Sequence, residues 1–125
     1  MSEEAPEALR ARLFREAPGA GRPAGEGWAR GEAREPLTAT HVRWHLKAAG
    51  GRITEARYEV RGCPYTIAAA AWVAGRLPGL AVGEATIDLE DLRARLGAPP
   101  ARLGRLFVIQ DALREAQLQL TARCP

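Results

Sequence analysis

Cysteine is scarce in this chain: Cys63 and Cys124 are the only two in 125 residues. Two thiols so far apart do not form a disulfide framework, which fits a reducing compartment such as the cytoplasm. Lysine is scarcer still, with Lys47 alone among 18 basic residues, and aromatics reach only 6%. The net charge is a modest +3, and the basic residues are interleaved with acids. A nucleic-acid surface built of basic patches and stacking rings therefore finds little support. Long apolar runs are also missing. The longest, Ile67 to Ala74, is too short to cross a bilayer, so no membrane partner is expected. The opening stretch MSEEAPEALRARL is acidic and carries no apolar signal core, which argues against export.

What is present is the composition of one compact domain, with 46% hydrophobic and 26% charged residues. Residues 6–16 read as a short amphipathic helix, with Leu9, Leu13 and Phe14 as its apolar stripe and Glu7, Arg10, Arg12 and Arg15 in water. The stretch from 17 to 36, rich in Gly, Pro, Arg and Glu, can bury little and reads as a mobile or loosely packed segment, with Trp28 a possible anchor for an edge strand. The division expected is residues 1–36 as helix plus mobile segment and 37–125 as the main domain.

From residue 41 the period becomes two. Val42, Trp44, Leu46 and Ala48 alternate with His41, Arg43, His45 and Lys47, as in a strand with one buried face. Gly50-Gly51 supplies a tight turn, and the return strand from Ile53 to Val60 turns Ala56, Tyr58 and Val60 inward and Glu55, Arg57 and Glu59 outward. A helix from Pro64 to about Ala74 is apolar all round and must be buried. Asp88 caps a short helix from Leu89 to Leu96, ended by Gly97. A last helix from about Ala101 to Thr121 carries Leu103, Leu106, Phe107, Ile109, Leu113 and Ala116 as its core stripe. A hairpin followed by three helices is an α+β arrangement.

Cys63 stands between Gly62 and Pro64, and proline suits the first turn of a helix because its missing N–H costs nothing there. A thiol at a helix N-terminus meets free N–H groups and the positive end of the dipole, which favour a thiolate. The alternative is a cysteine that fills space in the core. Both readings stay open at this level.

The run GGRITEARYEVRGCPYTIAAAAWVAGRLPG resembles the centre of the IscU/NifU N-terminal family of iron–sulfur scaffold proteins, and RLGAPPARLGRLFVIQDALREA is similar to that family's later segment. The likeness extends from about Leu37 to Ala116. It implies a SufE/IscU-like α+β fold, a small antiparallel sheet with helices packed on one face. It also implies a cluster site of three cysteines, an aspartate and a histidine. Matched residue by residue, the first cysteine falls on Thr38, the aspartate on Thr40, the histidine on Gly104 and the third cysteine on Arg105, so only Cys63 remains. A cluster takes about four soft ligands, mostly thiolates, and one thiolate cannot hold it within a subunit. His41 and His45 lie on the polar face of their strand, where solvated histidines are expected, and Cys124 sits incidentally near the terminus.

The related SufE family shares the fold and works with one cysteine, accepting persulfide sulfur. The expectation is therefore an accessory protein of iron–sulfur cluster assembly with Cys63 as a sulfur acceptor and Arg105 as a partner for its thiolate. It would be no turnover enzyme and would carry no resident cofactor or metal. Its partner would be a cysteine desulfurase or another assembly protein. The alternative is a non-catalytic interaction or regulatory subunit that has lost cluster binding. A cluster bridging two chains ranks below both. Oligomeric state is left open.

Overall fold

The computed structural model describes residues 4–123. The chain opens with helix α1, Pro6–Glu16, and then builds three strands: β1, Ala29–Glu35; β2, Thr40–Ala49; and β3, Arg52–Arg61. Helices α2, Pro64–Arg76, α3, Leu89–Arg95, and α4, Leu103–Arg123, complete the order, with single 3₁₀ turns at Val82–Glu84 and Pro100–Arg102. The sheet is antiparallel throughout in the order β1-β2-β3. Helix α4 packs on β1 and β2, α2 on β3, and α1 on α2, so the helices cover one face, as the α+β reading requires.

The hairpin forms where Gly50 and Gly51 take φ of 60° and 78°, the paired left-handed conformation of a tight two-residue turn. Register slips once. Lys47 faces Glu55 but Ala48 faces Ile53, leaving Thr54 as the extra residue of a bulge. That slip turns the odd-numbered Ile53 into the core beside Tyr58, both about 1% exposed. Trp44 meets Tyr58 edge-on with centroids 5.8 Å apart, and its Nε1 donates to the Ile109 carbonyl at 3.1 Å, tying β2 to α4.

Strand β1 lies within the segment expected to be mobile. Its inward residues are Ala29, Gly31 and Ala33, which are small because α4 approaches closely. A Cβ on Gly31 would stand 2.2 Å from the Ala116 nitrogen. The preceding glycines also have a place: the Gly21 N–H donates to the Tyr58 carbonyl at 2.8 Å, laying residues 19–21 along the free edge of β3.

Three side chains on the helices differ from expectation. Phe14 is 44% exposed, because α1 packs chiefly on α2 and presents Leu13 with partly buried Leu9 to the core. Arg10, expected in water, lies over the Tyr65 ring and donates to the Leu96 carbonyl at 2.9 Å. Phe107 is 49% exposed, since α4 turns Leu106, Ile109, Leu113, Ala116 and Leu120 inward and Phe107 falls on the opposite side. Among the described residues no helix is long and apolar enough to cross a membrane.

Candidate functional site around Cys63

Cys63 is the N-cap of α2, with an extended backbone and Pro64 following at the first helical position. Its carbonyl accepts from the N–H groups of Thr66 at 3.0 Å and Ile67 at 3.2 Å, which closes the first turn. Its Sγ lies 3.4 Å from the Thr66 hydroxyl. Thr66 is fully buried and β-branched, so that hydroxyl is held in place.

The thiol is half-buried, and burial pushes its pKa up. Against this, the thiolate would accept hydrogen bonds from the Thr66 hydroxyl and N–H, the Arg105 guanidinium and the Tyr65 N–H. These outweigh burial and hold the thiol below its ordinary value. Arg105 comes from the start of α4, so α2 and α4 together set the charge state of this sulfur.

The end of β1 supplies a second group. The Glu35 carboxylate accepts from the Thr38 hydroxyl at 2.5 Å, the Thr38 N–H at 2.7 Å and the Leu37 N–H at 3.1 Å. The Thr38 and Thr40 hydroxyls are 2.7 Å apart. Glu35 is held below the usual carboxylate range, first by the Thr38 hydroxyl and also by the backbone N–H groups and the nearby charge of Arg105. A Cβ on Gly62 would touch Thr40 Cγ2 and Thr66 Cβ, each at 3.4 Å, so Thr40 and Thr66 meet beneath the residue that precedes Cys63.

Cys63, Thr66, Arg105, Glu35, Thr38 and Thr40 thus gather at one end of the sheet. Gly104 adds nothing to them, since a Cβ there would have no neighbour within 4 Å. Glu35 and Thr66 were not singled out in the sequence. Their only signals are spacings: Thr38 follows Glu35 by three residues, as Thr66 follows Cys63, at the range of local side-chain bonds.

The two histidines sit on the outer face of the sheet, His41 with Glu32 at 3.0 Å and His45 with Glu59 at 2.8 Å. His45 corrects the expectation of a solvated histidine: it is only 3% exposed, because Arg30 and Arg57 flank it on the neighbouring strands. Burial lowers its pKa, with Glu59 pulling the other way. Cys124 lies outside the described residues. Among the described residues, no group of three or more His, Cys, Asp or Glu side chains is placed to hold a metal ion.

A family model described as the NifU-like N terminal domain matches residues 24–124. Among solved structures, the chain is similar to the N-terminal part of a nitrogen-fixing NifU-like protein from Brucella abortus. That match has 17% identity and a TM-score of 0.70, over 93% of this chain and 94% of that one. It is also similar to a protein of Fervidobacterium islandicum AW-1 assigned as an iron–sulfur cluster assembly scaffold for the SUF system. There the identity is 13% and the TM-score 0.71, over 87% of this chain and 93% of that one. At these identities the structural likeness speaks for the fold. No curated protein matched the chain.

Proposed function

Because the chain belongs to the NifU-like N-terminal domain family, we propose that it serves iron–sulfur cluster assembly as a sulfur acceptor working through Cys63, and not as a self-sufficient cluster scaffold. The donor set carries this reading. A cluster needs about four ligands, mostly thiolate. The matching positions here offer one thiolate, the hydroxyls of Thr38 and Thr40, no side chain at Gly104 and the cation of Arg105. Hydroxyls are poor ligands for a thiophilic iron cluster, and a guanidinium repels its metal. One of these replacements, Arg105, suits a lone thiolate, which it stabilises together with Thr66.

In the proposed step the Cys63 thiolate attacks the outer sulfur of a partner's cysteine persulfide. A new S–S bond forms at Cys63, the partner's S–S bond breaks, and its cysteine leaves as a thiolate. The proton stays on the terminal sulfur, so atoms and electrons balance without a further oxidant. The chain would act as a stoichiometric carrier for a cysteine desulfurase or another assembly protein, and not as a turnover catalyst.

One observation favours a second reading, a non-catalytic interaction subunit: the Cys63 thiol is half-buried. Alkylation with iodoacetamide, located by peptide mass mapping, separates the two. The acceptor reading expects Cys63 of the native protein to react near neutral pH faster than an unperturbed thiol of pKa about 8.5, and Arg105→Ala to slow it. A thiol that reacts only after unfolding would replace the acceptor with the interaction subunit.

A further inference from the structure

The outer face of the sheet is organised in cross-strand rows. Where β1, β2 and β3 end beside the Cys63 group, Arg34, His41 and Arg61 stand directly opposite one another. The next row is Glu32, Arg43 and Glu59, where Arg43 is 2.9 Å from Glu32 and 3.6 Å from Glu59. In the second row every charge thus has a partner, and two carboxylates to one guanidinium leave the row net negative. The first row has no such internal pairing. Among the described residues neither Arg34 nor Arg61 has an ion-pair or hydrogen-bond partner for its side chain, and both are exposed. His41 between them is engaged by Glu32 from the row behind.

Two hollows share this row. One, of about 460 Å³, extends over the outer face to Arg22, Arg43 and Glu59. The other, of about 420 Å³, runs round the end of the sheet to Glu35 and Thr40, members of the Cys63 group. Arg34 and Arg61 thus line both hollows, and the second hollow reaches Glu35 and Thr40 of the Cys63 group although Cys63 itself lines neither.

We infer that the row Arg34–His41–Arg61 is a docking strip for an acidic segment of a partner protein, laid beside Cys63. This deepens the sulfur-acceptor reading by naming the partner's chemistry, and it rests on that reading for its purpose; the binding itself is measurable without any sulfur transfer. Guanidiniums present planar forks suited to carboxylates, and among the described residues nothing takes up the donors of Arg34 or Arg61. A nucleic-acid backbone fits worse. Crossing the sheet, its phosphates would pass over Glu32 and Glu59, whereas a short acidic peptide can lie along the first row alone.

The test uses the full-length protein and a fluorescent oligoglutamate peptide, followed by anisotropy at low and high salt. Saturable, salt-sensitive binding is expected, weakened at least about tenfold by Arg34→Glu with Arg61→Glu. The milder Arg34→Ala, Arg61→Ala pair, checked by circular dichroism for an intact fold, should weaken it less. Cys63→Ser should bind as well as the natural chain, which keeps this result separate from the fate of the thiol. Arg114→Glu, on the exposed face of α4, should also leave binding unchanged. The inference is overturned if the peptide does not bind, if the row variants leave binding intact, or if Arg114→Glu weakens it equally. A single-stranded oligonucleotide binding more tightly through the same arginines would also overturn it, as would inorganic phosphate competing as well as the peptide.

Discussion

Replacing Gly31 with alanine puts one methyl group where β1 crosses α4. Its Cβ would lie 2.2 Å from the Ala116 nitrogen, 2.3 Å from the Ala112 carbonyl oxygen and 2.9 Å from Ala116 Cα. All three are backbone atoms, so no side-chain rotation relieves the clash. Comfortable contact between such atoms needs about 3.5 Å, so strand and helix must part by roughly 1 Å along their joint. Overpacking costs about 1–3 kcal/mol where side chains can yield, and the rigid joint here places the loss at about 3 kcal/mol or more. For 125 residues the entropy of unfolding is roughly 0.26 kcal/mol per degree, so the thermal midpoint should fall by about 11 °C. The packing of β1 on α4 also brings the charge of Arg105 near Glu35, and Cys63 alkylation in the folded variant should slow with its loss. Urea and thermal unfolding followed by circular dichroism measure the first effect. Gly104→Ala is the control: its methyl meets nothing within 4 Å, and in a helix it should stabilise by up to about 1 kcal/mol. A loss below about 1 kcal/mol for Gly31→Ala, no more than an average substitution costs, would refute the close approach.

Three further outcomes are expected. Tyr58→Phe should raise stability by about 1 kcal/mol in urea unfolding, because the Tyr58 hydroxyl is buried with no hydrogen-bond partner among the described residues and its burial pushes its pKa up to about 12; a loss of similar size would contradict this. His45 is held below its ordinary 6.5 by burial, so above that pH its contribution is fully present, and it is lost as pH falls below 6.5, where the unfolded chain takes up the proton first. The lowered carboxylates, Glu59 among them, act only further down, from 4.5, so His45→Gln should flatten the upper part of the stability profile alone. An unchanged slope there would exclude the role of His45. Glu35→Ala should speed hydrogen exchange at the Leu37 and Thr38 amides, which donate to that carboxylate, and unchanged rates would show that the turn stands without it.

Sequence legibility followed the contrast between large apolar and charged residues. β2 alternates Val42, Trp44 and Leu46 with charged and histidine side chains, and α2 is almost pure alanine, so both can be read directly. β1 alternates as regularly, but its inward residues are Ala29, Gly31 and Ala33, small because α4 lies so near, and small residues carry little hydropathy signal. The alternation placed His45 on the outer face but could not show its burial, which comes from side chains on both neighbouring strands. In the site, Cys63 stood out by its place between Gly62 and Pro64, and Arg105 only through the family resemblance. Glu35 stayed hidden because nothing local says that a strand ends there or that α4 brings a guanidinium alongside.

The proposed function turns on sulfur uptake by Cys63. The direct measurement mixes the purified chain with a cysteine desulfurase and free cysteine, then weighs the intact protein. The expected result is a gain of the mass of one sulfur atom, located by peptide mapping at Cys63, reversed by a reducing thiol, and absent in a folded Cys63→Ser variant. A chain that gains no mass while a known acceptor in the same mixture does, or that gains it equally without Cys63, would contradict the claim.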